Sequence, residues 1–188
     1  HKYDSVLVIP DEAERQKELA FADWIDDGLS KFKFDELSAN DKTDYRMLQN
    51  FAAGIRFNIN EFKSYEWDPS SYNLGEGIFD IVDYKGEGID QKLLALSARF
   101  KNAAAYFEAG EKNIHNSTFE HTKLAIDQNN GSLYFFKSVL ADSVKASKLS
   151  DDEKAEFNKN AASAQKAIEG YVSYLQQNIL AKADTNNM

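Results

Sequence analysis

The chain contains no cysteine, only two prolines and no long apolar run. The first absence removes disulfides, thiolate nucleophiles and Cys-type zinc sites together. It does not fix the compartment, because periplasmic proteins can also lack cysteine. Scarce proline, with nine glycines in 188 residues, is what a chain of long helices with few turns requires. The longest apolar run near the start, Val6-Leu7-Val8-Ile9, is stopped by Pro10. Such a run is far too short for a membrane span or the core of a signal peptide. Basic residues are also in deficit, 22 against 31 acids, for a net charge of -9. Phosphate neutralisation needs the opposite balance, so nucleic acid is excluded as a partner, and an anionic membrane face is disfavoured. Excess acid of this kind mainly keeps a protein soluble.

Catalytic patterns are missing too. A zincin helix needs two histidines four residues apart, with an adjacent glutamate. The three histidines here are His1, His115 and His121, and position 125 is Ala125. Glu120 precedes His121, which makes a pair but not a zinc triad. No nucleophile elbow, phosphate-binding loop or dinucleotide fingerprint occurs. Gly75-Glu76-Gly77 and Gly86-Glu87-Gly88 follow no strand and read as loop glycines. Asp23, Asp26 and Asp27 share a helical face, which reads as solvated. The chain alone therefore carries no catalytic, metal-ligating or cofactor-binding set, and it does not read as an enzyme.

What is present is helical periodicity and aromatic bulk. Thirteen Phe and nine Tyr argue for a buried core rather than disorder. A chain of 188 residues reads as a single domain, able to bury roughly 70% of its unfolded surface. Residues 1–10 read as an extended arm. Residues 11–30 read as a first helix with acids Asp11, Glu12 and Glu14 in its first turn. Its apolar face is Leu19, Phe21, Ala22, Trp24, Ile25 and Leu29. Ser38 caps a second helix running to about residue 66, with Tyr45, Leu48, Phe51, Ala52, Ile55, Ile59 and Phe62 in one stripe.

Further along, residues 78–84 read as a short helix and 85–88 as a loop. Residues 89–113 are helical, with a break near Ala103-Ala104-Ala105. Asn116-Ser117 offers a cap for a helix over 118–147, whose Asn129-Asn130-Gly131 has poor helix propensity and predicts a break or a π-type distortion. Ser150 and Glu153 form a capping box for the last helix. Residues 183–188 read as a frayed tail. The expected fold is all-α, a bundle of about five to seven mostly long antiparallel helices joined by short loops.

One segment interrupts the helices: Tyr65-Glu66-Trp67-Asp68-Pro69-Ser70-Ser71-Tyr72-Asn73. Asp68 before Pro69 is an N-cap followed by N1, where proline loses no useful donor. Tyr65, Trp67 and Tyr72 could build a ligand platform, or could pack the corner with their polar tips at its rim. Trp67, Asp68, Tyr72 and His121 are the candidate wall of a cleft.

This segment also resembles the DUF885 family, bacterial proteins many of which are predicted lipoproteins. The resemblance spans about residues 21–175. It rests on Leu37-Ser38-x-x-Asp41, Asp44-Tyr45, Trp67-Asp68-Pro69-x-x-Tyr72-Asn73 and Leu93-x-x-Leu96-x-x-Arg99-Phe100. Ala109, Asn113-Ile114, Glu120-His121-Thr122, Ala125-Ile126 and Gly131 follow in order. Family members usually carry proline a few residues after the position of Arg99, where this chain has Ala103-Ala104-Ala105. They are several times longer, and their C-terminal half has a His-Glu-x-x-Pro-Gly-His motif like that of a zinc metallopeptidase. No position here matches that motif.

The resemblance therefore implies the N-terminal part of a larger metallopeptidase-like lipoprotein. Its partner would be its own C-terminal half, zinc would belong only to that half, and its location would be the cell envelope. A start at His1 rather than methionine fits a mature or trimmed product. The alternative is a free-standing periplasmic or surface binding module that uses the Trp67–Tyr72 corner.

Overall fold

The computed structural model describes residues 3–136 and 140–182 and places them in two compact units. One is Pro10–Ser64; the other combines His1–Ile9 with Tyr65–Met188. The described residues are helices and turns with no strand, so the all-α expectation holds. The expected frayed tail, 183–188, lies outside the described residues.

The smaller unit is a helical hairpin of α1 (Glu12–Leu29) and α2 (Ala39–Phe57). Asp11 accepts a hydrogen bond from the Glu14 N–H at 2.9 Å, and Ser38 accepts one from the Asp41 N–H at 3.3 Å. Each satisfies an orphan donor of its first turn. Ala22, Ile25 and Leu29 of α1 meet Ala52 of α2 in a small core. Arg56 ties the pair together, its guanidinium lying 2.7 Å from both Asp23 and Asp26. The three-acid face of α1 is therefore partly an ion-pair clip.

The second helix does not reach residue 66. It passes through a π turn, Asn58–Phe62, and stops at Lys63, which adopts φ 48° and ψ 42°. Lys63 is the sole non-glycine residue with positive φ among those described. A left-handed residue ends a helix because its N–H turns back to an orphan carbonyl, here Asn58 O at 2.9 Å. The pattern of side chains did not reveal this stop, since Ile59 and Phe62 continue the stripe.

The larger unit begins with the arm. Residues 6–10 belong to no helix or strand, Leu7 packs on the core, and Arg99 Nε donates to Asp4 O at 2.5 Å. After the turn α3 (Ser64–Trp67) come a 3-10 turn at Pro69–Ser71 and α4 (Leu74–Asp83). Then follow α5 (Ile89–Phe100), α6 (Ala103–Asn113), α7 (Phe119–Phe135), α8 (Ala141–Ala146) and α9 (Asp151–Tyr174). A π turn, Leu175–Ile179, and a 3-10 turn, Leu180–Lys182, continue the last helix. Helix α9 spans roughly 36 Å at 1.5 Å per residue and packs against α5, α6 and α7. Phe157, Ala164, Ile168, Tyr171 and Leu175 are its buried face.

Several local expectations change. Gly75 and Gly77 are helical, inside α4, rather than in a loop. Their value is steric. A Cβ on Gly75 would stand 2.4 Å from Ser132 Oγ, and one on Gly77 would stand 2.6 Å from a terminal nitrogen of Arg99. The break predicted near residue 103 falls just ahead, at Lys101-Asn102. Thr118, not Asn116 or Ser117, caps α7, accepting from the His121 N–H at 3.3 Å. Helix α7 runs unbroken through Asn129-Asn130-Gly131. Asn129 is tolerated there because its amide is used across the fold, as described next.

Candidate functional site

The corner between Glu66 and Asn73 is built from local hydrogen bonds and then locked by tyrosines. Asp68 Oδ1 accepts from the Ser70 N–H at 3.0 Å and from the Ser70 hydroxyl at 2.5 Å. Pro69 then occupies the first position of its turn, where no donor is lost. Asn73 repeats the device for α4, accepting from the Gly75 N–H at 2.8 Å. These side chains bond to neighbouring groups within two residues of themselves.

Tyr72 is the centre of the corner, only 2% exposed. Its hydroxyl donates to Tyr65 O at 2.8 Å and accepts from Asn113 Nδ2 at 3.0 Å. Its ring meets Tyr106 and Tyr171 edge-on, both with centroids 6.2 Å away. Gly110 permits this approach, because a Cβ there would sit 2.9 Å from the ring. Asn129, fully buried on α7, donates from Nδ2 to Tyr72 O at 3.3 Å and to Ala125 O at 2.9 Å. Its Oδ1 has no partner among the described residues. Tyr171 donates to Pro69 O at 3.2 Å, and Tyr106 donates to Ser71 O at 3.2 Å. Burial pushes the Tyr171 hydroxyl far above its ordinary pKa, so it remains a donor at any working pH. Buried hydroxyls with partners of this kind specify geometry.

Trp67 and His121 form the rim. Trp67 is half-buried, and the His121 ring stands edge-on to it with centroids 5.2 Å apart. His121 Nδ1 lies 2.8 Å from Thr118 Oγ1. His115 is elsewhere on the same side, its Nε2 3.7 Å from a Glu66 carboxylate oxygen. Among the described residues no group of three or more His, Cys, Asp or Glu could hold a metal ion. His121 thus lies against threonine and His115 against glutamate. The structure brings together Trp67 and His121, buries Tyr72 and commits Asp68 to its cap.

The described cavities open elsewhere. One of about 360 Å3 is lined by Ile114, His115, Ser117, Tyr174, Asn178 and Ile179. Another of about 330 Å3 sits beside Arg99, with Asp4, Gly77, Asp80 and Tyr84. Glu111 has its carboxyl pKa raised by burial, with Glu108 adding to the shift. Two more cavities lie along the hairpin, in a region whose side chains had read only as core.

The family model for bacterial proteins of unknown function, DUF885, matches residues 1–187. The chain belongs to the DUF885 family. A solved structure from Shewanella oneidensis, described as a predicted lipoprotein of unknown function, is 39% identical with a TM-score of 0.90. The match covers 94% of this chain but 32% of that one. The chain thus spans about a third of the length of that neighbour. No curated protein matches. No helix among the described residues is long and apolar enough to cross a membrane.

Within this family the corner now has a defined structural content. Its aromatic and amide residues hold α4, α6, α7 and α9 in register. What the sequence did not reveal is the uncovered face of the hairpin. The signal was present, since Trp24 and Phe51 are large and apolar, but the same signal is produced by core residues.

Proposed function

We propose that this chain is the non-catalytic N-terminal helical domain of a longer, metallopeptidase-like DUF885 lipoprotein of the cell envelope. In that role it walls one side of a substrate cleft whose zinc chemistry belongs to the C-terminal half. The observation that carries this reading is coverage: a chain with the same fold and 39% identity is about three times as long. The absence of a zinc motif from the sequence is consistent with it, as is the lack of any metal-binding group of three among the described residues. The predicted-lipoprotein description of the Shewanella protein supports the envelope location. Trp67 and His121 would be the wall itself, with Asp68 and Tyr72 fixing them from behind.

The free-standing binding module has less support. A ligand platform at the corner needs accessible rings and free polar tips, and Tyr72 offers neither. The test is hydrolysis. Residues 1–188 incubated with zinc and a peptide library should show no turnover. The same segment expressed with the polypeptide that follows it in its gene should show turnover, lost on chelation. Robust hydrolysis by residues 1–188 alone would sink the proposal.

A further inference from the structure

The hairpin leaves an apolar groove uncovered. Two cavities of about 370 and 220 Å3 share Leu29, Phe32 and Leu48, so they form one continuous depression along the α1–α2 pair. Its walls are rich in large side chains that ordinarily avoid water. Trp24 is 68% exposed and Phe32 58%. Ring contacts extend this face. Phe21 stacks on Trp24 with centroids 5.6 Å apart and meets Phe51 edge-on at 6.5 Å. Contiguous exposed apolar surface of this kind marks an interaction site.

The charge around the groove has one sign. Asp41 and Asp44 are the charged residues in its lining. Nearby bases are engaged outside the lining. Lys42 and Arg46 sit over the Phe34 ring, 5.6 and 5.2 Å from its centroid. Lys33 pairs with Glu36 at 2.9 Å. Asp41 accepts from the Ser38 hydroxyl at 2.7 Å, whereas Asp44 has no ion pair among the described residues. A groove between two helices accepts the side-chain ridge of a third, read as anchors at i, i+3, i+4 and i+7. Carboxylates at its edge select cationic flanks.

We propose that this groove receives an amphipathic helix with Lys or Arg beside its apolar stripe, supplied by the longer DUF885 polypeptide itself. The proposal rests on the reading of the chain as part of that longer protein. The length argument points to the occupant: a chain of the same fold has about two-thirds of its residues beyond the matched region. Charge argues against a second copy, which would bring its own Asp41 and Asp44 to the same edge.

Trp24 supplies the readout. Residues 1–188 are titrated with two synthetic helices that share one leucine stripe, flanked by Lys in one and Glu in the other. The Lys peptide should bind and shift Trp24 emission to the blue, and Trp24→Phe should abolish the shift. Asp44→Lys should weaken the Lys peptide by about tenfold and admit the Glu peptide, since rim charges set partner choice. Leu48→Ser should weaken both peptides. Equal binding of both peptides, binding of neither, or indifference to Asp44→Lys would overturn the proposal.

In the longer polypeptide, Trp24 should be shielded from iodide quenching and the Lys peptide should no longer bind. An accessible Trp24 there would overturn the intramolecular occupant. So would a concentration-dependent dimer of residues 1–188 that Leu48→Ser dissolves. These outcomes are separate from the hydrolysis assay. A failed groove leaves a non-catalytic domain standing, and a hydrolysing segment leaves the groove measurements intact.

Discussion

The hairpin and the larger unit are both rich in aromatic side chains and use them in opposite ways. Around α9, Phe100, Phe107, Phe157, Tyr72 and Tyr171 are all within 2% of complete burial. They fall into two groups of touching rings, with Phe107 to Tyr171 at 4.9 Å in one and Phe100 to Phe157 at 5.9 Å in the other. In the hairpin, Phe21, Trp24, Phe32, Phe51, Phe57 and Phe62 are all about half exposed or more. The buried set there is small residues and single aliphatics, Ala22, Ile25, Leu29, Ala52 and Ile59. Identical helical spacing thus produces a closed core in one place and an open face in the other. Two helices can cover only one stripe of each other, while α9 is surrounded by α5, α6 and α7.

The largest expected contrast is between matched truncations. Phe100→Ala in the larger unit should cost about 3–5 kcal/mol, because it opens a cavity in close-packed surroundings. Phe51→Ala in the hairpin should cost less than about 1 kcal/mol, since much of that ring is already in water. Urea titrations of the two variants measure both. Similar losses would show that the hairpin face is covered in solution.

Glycine makes the second contrast. Gly110→Ala drives a methyl to 2.9 Å from the Tyr72 ring and should destabilise by about 1–3 kcal/mol. Gly54→Ala in the middle of α2 meets nothing within 4 Å and should stabilise by about 0.5–1 kcal/mol. Thermal melts would show opposite signs. Two losses would mean that the hairpin has a neighbour at Gly54.

Caps should differ less. Ser150→Ala removes the capping box of α9 and should cost about 1 kcal/mol. The Ser150 N–H and hydroxyl hold the Glu153 carboxyl below its ordinary range. A lowered acid contributes stability above the unfolded carboxylate pKa and loses it as pH falls through the lowered value. The difference between wild type and Ser150→Ala should therefore narrow on acidification. A gap that stays constant down to strong acid would mean that the carboxylate takes no part.

The smallest effect belongs to the hairpin clip. Arg56→Gln frees Asp23 and Asp26, but all three side chains are partly solvated. Its loss should fall below the others and shrink further with added salt, as exposed pairs do. A large, salt-insensitive loss would show that the clip is the main tie between α1 and α2.

Legibility followed the range of the physics. Ser38, Asp68 and Ser150 announced their caps because a cap is made within three residues of itself. The break after Phe100 could be placed to within a few residues from a shift in periodicity. Gly75 and Gly77 misled because their reason lies on Ser132 and Arg99, far away in sequence. Asn129 misled for the same reason, since its poor propensity is offset by a bond to Tyr72 O. At the candidate site, Trp67, Asp68 and Tyr72 were recognisable from the sequence. That Tyr72 would be buried rather than open at the rim was not.

The sequence by itself determined the class, the caps at Ser38, Asp68 and Ser150, and the family, because spacing, turn chemistry and motif order are one-dimensional. It also determined that the chain's histidines and acids carry no zinc motif. Only the tertiary structure decided which apolar stripes are covered. Burial depends on how many elements converge on a face, and that number is a property of the assembled helices rather than of any one of them.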